Sequence, residues 1–286
     1  MPRGRLTVVA AAVACVLAVA FGATAEANDP MLSFDNDLIT AHMAPIVFPT
    51  EPPALSTDCR TKKIAGDQFR RPLRGLRRAI REHRDPRVLA IGSSSTVGVG
   101  ASRPQNAYIA KLESTLEGTF QGLDFSVIGK GMSGEVAEGQ SVRMKDTVAE
   151  VKPDLVLWQV GTNDAIRHVD LESFKSCLRR TLIWLHDNKF DVVLVDPQYS
   201  VELAKDAFYW ETVSAVAEVA REMRVLLVDR FDAMRELSAQ RGDGFYITSD
   251  NLHLNDNGHR CMAEQLARSI AAGVLQADFE ASLPTR

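Results

Sequence analysis

The sequence predicts an α/β fold, a three-layer α/β/α sandwich around a five-stranded, mainly parallel sheet. Two observations carry this reading. From Arg87 onward, short apolar runs alternate with longer stretches of helical periodicity, the pattern of successive βαβ units. The runs are nearly continuous in Val, Ile and Leu, as strands are when helices cover both faces of a parallel sheet.

In chain order, residues 1–27 read as a secretory signal peptide. Arg3 and Arg5 precede an apolar run from Leu6 to Phe21, and small residues follow at Ala23, Ala25 and Ala27. Cleavage is placed after Ala27, which sends the mature chain to the periplasm or the medium. A retained anchor is one rival, but the run is shorter than the ~20 residues of a membrane-spanning helix and no basic stop-transfer cluster follows. Lipidation at Cys15 is another, although Ala12, Val13 and Ala14 make a poor lipoprotein box. Residues 28–66 hold prolines at 30, 45, 49, 52 and 53 and show no sustained period, so they read as a linker or a surface-wrapping arm.

Over 67–85, Phe69, Leu73, Leu76 and Ile80 recur at helical spacing while Arg70, Arg71, Arg74, Arg77, Arg78, Arg81 and Arg84 crowd the remaining surface. This basic amphipathic helix either docks on the domain with a solvated face, the reading we favour, or is drawn to anionic glycan or a membrane surface. Residues 86–278 form the main domain and 279–286 a short tail. Its strands are the runs Val88 to Ile91, Phe125 to Ile128, Leu155 to Val160, Val192 to Val195 and Val225 to Val228. Helices are expected over Ala107 to Leu116, Leu171 to Asp187, Val213 to Met223 and Asp256 to Ala272.

With 286 residues, 45% hydrophobic and 24% charged, the chain can build a sizeable core. A net charge of -4 gives no basis for nucleic acid as the main partner, which calls for a strongly basic domain. Beyond the signal peptide the cysteines are Cys59, Cys177 and Cys261, an odd number whose wide spacing resembles no zinc site. One internal disulfide can form, and from Cys59 to either partner it would tie the arm to the domain; the sequence leaves the pairing open.

In open parallel sheets, ligands bind beyond the carboxyl ends of the strands. Reactive or donor groups stand at four such places: Gly92-Ser93-Ser94-Ser95-Thr96, Gly129-Lys130-Gly131-Met132-Ser133-Gly134-Glu135, Gly161-Thr162-Asn163-Asp164, and Asp250-Asn251-Leu252-His253 before the last helix. A serine hydroxyl needs an imidazole to take its proton and a carboxylate to hold that imidazole in the useful tautomer. The oxyanion that forms needs preorganised donors, which backbone amides and an Asn side chain supply. All of these residue types are present.

Their order resembles the blocks of the SGNH/GDSL hydrolase family over about residues 87 to 272. The resemblance implies the flavodoxin-like sandwich of that family and an esterase that needs no metal or organic cofactor. It places the nucleophile at Ser94, the triad acid and base at Asp250 and His253, and the oxyanion hole at the Ser94 amide, Gly134 and Asn163. Ser93 stands where the family usually has Asp, and Gly129 where Asn often opens the second block. Thr96, where glycine would complete Gly-x-Ser-x-Gly, argues against the α/β-hydrolase elbow.

His42, His83, His168, His186 and His259 are rival bases in the arm or on helical patterns, and Asp164 and Asp256 are rival acids. Asp196, Gln198 and Tyr199, after the fourth run, read equally as a substrate-pocket wall or a strand-end turn; Trp158 and Gln159 read as core. The expected substrate is an ester-bearing small molecule or acylated glycan, with O-acyl transfer to a glycan as the alternative reaction.

Overall fold

The computed structural model describes residues 46–62 and 72–283. The signal peptide, most of the arm and the first residues of the basic helix lie outside the described residues, as does His42. The strands are β1 (Arg87–Gly92), β2 (Ser126–Gly131), β3 (Leu155–Gln159), β4 (Asp191–Val195) and β5 (Leu226–Val228). The helices are α1 (Arg74–Arg81), α2 (Ser94–Val97), α3 (Tyr108–Thr119), α4 (Ala137–Val151), α5 (Thr162–Ile166), α6 (Leu171–Asp187), α7 (Ala207–Glu222), α8 (Arg230–Arg241) and α9 (Asp256–Ser282). The strand order is β2-β1-β3-β4-β5 and every pairing is parallel.

Alternation along each strand divides the apolar runs between two cores. Val88, Ala90, Leu155, Leu157, Val193 and Val195 meet Leu112 and Leu116 of α3 and Leu266, Ile270 and Val274 of α9. Leu89, Ile91, Val156, Trp158, Val192 and Leu194 meet α4, α6 and α7 through Met144, Val148, Leu178, Leu182, Val216 and Val219. Because every strand runs the same way, the segments that follow β1, β2, β3 and β4 emerge along one edge.

Helices α4 and α8 escape the sequence reading. On α4 the buried stripe includes Gln140 and Thr147, which breaks the apolar period; Gln140 Oε1 is used to accept Trp158 Nε1–H at 2.7 Å. The buried side of α8 begins with Arg230, 1% exposed. Helix α7 starts at Ala207 rather than Val213, because the Asp206 carboxylate caps it by accepting Phe208 N–H at 2.9 Å.

The basic helix is shorter than its charge pattern, with Leu73, Leu76, Ala79 and Ile80 buried against the domain. Among the described arginines, Arg77 and Arg81 pair with Asp278, Arg74 with Glu280, and Arg84 with Asp154. Arg81 also lies over the Phe48 ring. The described part of the helix is thus docked on the domain through its apolar side.

The described part of the arm runs along α9. Arg268 Nη1 donates to the carbonyls of Pro52 and Pro53, Ser56 N–H to Glu264, and Asp58 pairs with Arg241 and Arg260. Cys59 is bonded to Cys261, while Cys177 is free and its thiol is pushed up to about 12 by burial. The bond spans 202 residues of sequence, so its loss releases a large loop in the unfolded chain. Reducing it, or replacing both cysteines by serine, should lower stability by about 2–4 kcal/mol in a guanidinium titration. A change below about 0.5 kcal/mol would show that the arm holds itself down without it.

Candidate active site

Ser94 follows β1 as the first residue of α2 and is half-buried, between Ser93 and Ser95, each 3% exposed. Burial thus distinguishes Ser94 within the serine triplet. Its turn is held from β3: Gln159 Oε1 accepts Ser93 N–H at 3.3 Å and Thr96 Oγ1–H at 3.4 Å. The turn also passes directly over β2. A Cβ added to Gly131 would lie 2.6 Å from Val97 N and 2.8 Å from Ser93 O, so only glycine admits this approach.

Gly134 has φ +75°, a left-handed conformation that glycine adopts without strain. The surrounding loop is fixed by Arg143, whose guanidinium clasps Glu135 (Nη2 to Oε2 2.6 Å) and donates to Lys130 O at 2.8 Å. Asn163 is half-buried at the start of α5, and its Nδ2 donates to Glu135 O at 2.9 Å. That bond uses one of two amide hydrogens and sets the plane of the other. Among the described residues the backbone amides of Ser94 and Gly134 have no acceptor, so three donors are available along this edge.

Asp250 and His253 sit in the turn of a short hairpin closed by an antiparallel Ile247–Leu254 bridge and by Thr248 N–H to His253 O at 2.8 Å. The Asp250 Oδ2 to His253 Nδ1 distance is 2.6 Å. Oδ1 accepts Thr248 Oγ1–H at 2.6 Å and the Leu252 and His253 amides, each at 2.9 Å. Partial burial pushes the Asp250 carboxyl up, but these donors together outweigh it and hold the group well below the usual carboxylate range. With a charged carboxylate on Nδ1–H, the imidazole presents Nε2 as its acceptor. Among the described residues no hydrogen bond joins Ser94 Oγ to His253; such contacts often tighten only when substrate binds.

The hairpin is carried to the Ser94 turn by the segment after α2. Asp256 accepts Ser102 N–H at 2.8 Å and Oγ–H at 2.6 Å, and His259 Nε2 lies 3.1 Å from Val99 O. These bonds account for two of the rivals. His259 is fully buried, stacked on Tyr108 and lowered by burial, and Asp256 caps the link to Ser102. Asp164, 3% exposed, accepts the Ala137 amide at 3.0 Å and its carboxyl is raised by burial. His168 pairs with Asp206 on the surface. Of the acids considered, Asp250 is the one bonded to an imidazole in the hairpin that Gln198 ties to this edge.

The segment after β4 is turned inward. Asp196 and Gln198 are each 3% exposed. Asp196 Oδ1 accepts Phe231 N–H at 3.0 Å at the start of α8, and burial, with Asp229 nearby, raises its carboxyl well above the ordinary value. Gln198 spends its polar atoms on protein partners, and Tyr199 packs edge-on against Phe231. Asp196 and Gln198 therefore have no surface to offer as a pocket wall. Trp158 and Gln159 are core, as expected, though Gln159 also supports the turn that carries Ser94. Thr248 and Arg143 were not foreseen; a threonine two residues before an aspartate and an arginine on a polar helix face leave no periodic mark.

Residues 58–276 match the model of the non-GDSL lipase-like family. An acetylxylan esterase of Geobacillus stearothermophilus is 25% identical over 209 residues, 64% of this chain and 93% of that protein. Esterase TesA of Pseudomonas aeruginosa is 31% identical over 80 residues, 28% of this chain and 38% of that protein. Among solved structures, the acetylxylan esterase Axe2 of G. stearothermophilus superposes with a TM-score of 0.56 at 24% identity, covering 65% of this chain and 94% of Axe2.

Proposed function

The chain belongs to the non-GDSL lipase-like family and is a carboxylic ester hydrolase of the SGNH/GDSL type, and from that premise we propose that Ser94, His253 and Asp250 are its catalytic triad. Ser94 Oγ attacks the ester carbonyl as His253 Nε2 takes its proton. The same proton then passes to the departing alcohol, leaving an acyl-Ser94 that water, deprotonated by His253, hydrolyses. Asp250 holds the imidazole in the required tautomer. The Ser94 and Gly134 amides and the free Asn163 N–H hold the oxyanion. The observation that carries the reading is the 2.6 Å Asp250–His253 contact, in a hairpin bonded to the edge where Ser94 stands.

The substrate proposed is a short acyl ester on an exported or envelope polysaccharide. It is supported by the acetylxylan esterase relative and by the Leu6 to Phe21 signal sequence. The Cys59–Cys261 bond supports export too, since disulfides persist in oxidising compartments. The test is product analysis of a water-soluble acetyl ester, with and without added glycan, for the wild type and Asn163→Ala. Free acetate should account for turnover in both mixtures, and Asn163→Ala should lower kcat by about 10²- to 10³-fold with the product unchanged. Acetyl appearing on the glycan would instead make the protein an O-acyltransferase.

A further inference from the structure

We infer that Gln198 is a positioning residue that, with Ser200, holds the nucleophile turn, the oxyanion loop and the Asp–His hairpin in one arrangement. Gln198 leaves β4 at the centre of the catalytic edge and is bonded to all three. Its Oε1 accepts Ser95 Oγ–H at 3.4 Å, its backbone N–H donates to Thr162 Oγ1 at 3.4 Å, and its Nε2 donates to Leu252 O. Each of these partners is the immediate neighbour of a proposed catalytic group: Ser95 follows Ser94, Thr162 precedes Asn163, and Leu252 precedes His253. Ser200, fully buried, adds a second tether by donating from Oγ to Asn251 O at 2.8 Å.

The carbonyls so held belong to the two residues between Asp250 and His253. That turn is otherwise on the surface, with Asn251 exposed and at φ +58°, a left-handed conformation that asparagine accepts more readily than most residues. The anchor is itself rigid: Tyr209 Oη, fully buried, donates to Gln198 O at 2.7 Å, and Thr162 Oγ1 is shared with Arg230 Nη2 at 3.4 Å. A primary amide suits this place because it accepts toward the serine turn and donates toward the hairpin at once. Methionine has the same reach and does neither. Glutamate would set a carboxylate against the Leu252 carbonyl.

This inference rests on the esterase reading, so its test needs a readout besides turnover. Gln198→Met and Gln198→Glu are compared with wild type by ester kinetics and by amide hydrogen exchange over residues 248–253. The expected result is a loss of about 10- to 100-fold in kcat with KM within about twofold, because the acid–base pair is displaced while the binding surface is intact. Exchange over the hairpin should rise in the same variants. If the Gln198 variants do not fold, Ser200→Ala removes the second tether, together with the acceptor of Leu203 N–H at 3.2 Å, and is read in the same way with a smaller effect.

Unchanged exchange and kcat in folded variants overturn the inference, as does lower kcat without faster exchange. A raised KM at constant kcat also overturns it, since that marks a residue that touches substrate. Faster exchange in a protein whose wild type hydrolyses no ester leaves the tether standing and removes the esterase reading instead.

Discussion

Replacing Asp250 by asparagine should lower kcat by about 10⁴-fold in a folded protein, with KM little changed. The size follows from how the carboxylate is used. Oδ1 faces three donors, Thr248 Oγ1–H and the two amides, so an asparagine must place its carbonyl there. Its NH₂ group then faces His253 Nδ1 at the position now held by Oδ2, 2.6 Å away. Nδ1 is forced to accept, the ring hydrogen moves to Nε2, and the base presents a donor to the serine hydroxyl. A loss under about tenfold would mean that another group orients the imidazole.

The same carboxyl has a pH signature. Its pKa is lowered in the folded protein, so the stability it contributes is fully present above the unfolded carboxyl value of about 3.9 and is lost as pH falls further toward the folded value. Thermal unfolding of wild type and Asp250→Asn should therefore diverge most near neutral pH and converge below about pH 4. The side chain is 49% exposed, so solvent screening keeps this difference small. Asp250 also stays ionised throughout the working range, so it cannot be the group behind an acid limb in the rate profile.

The inner strands were legible because they are buried on both faces, and Val88 to Ile91 or Leu155 to Val160 can be little else at that length, whereas the edge strand β2, read as Phe125 to Ile128, runs on to Gly131 through partly exposed positions. The four polar blocks at the strand ends were legible for a different reason: the proposed chemistry needs particular residue types there, and Gly131 and Gly134 mark where the backbone must approach closely or turn left-handed. What could not be read was how polar residues are spent inside. Gln140 and Thr147 hide α4 by interrupting its apolar stripe, and Arg230 hides α8. Gln198 read equally as a pocket wall or a strand-end turn because it is polar and follows a strand; its partners come from positions 95, 162 and 252, distances in sequence that no local pattern records. The choice of Cys261 over Cys177 is of the same kind, set by the packing of the arm on α9.

The most direct test of the account is hydrolysis of p-nitrophenyl acetate by the protein lacking residues 1–27, beside its Ser94→Ala variant. Removing the only atom that forms the acyl intermediate should cost about 10⁴-fold or more in kcat, leaving the slow residual rate that oxyanion donors alone provide. Thermal unfolding should be little changed, since no hydrogen bond of the Ser94 hydroxyl is seen among the described residues. Burst kinetics with the wild type, absent in the variant, would place the acyl group on Ser94. Equal rates in the two proteins would contradict Ser94 as nucleophile, and with it the alignment of Asn163, Asp250 and His253 around one ester carbonyl.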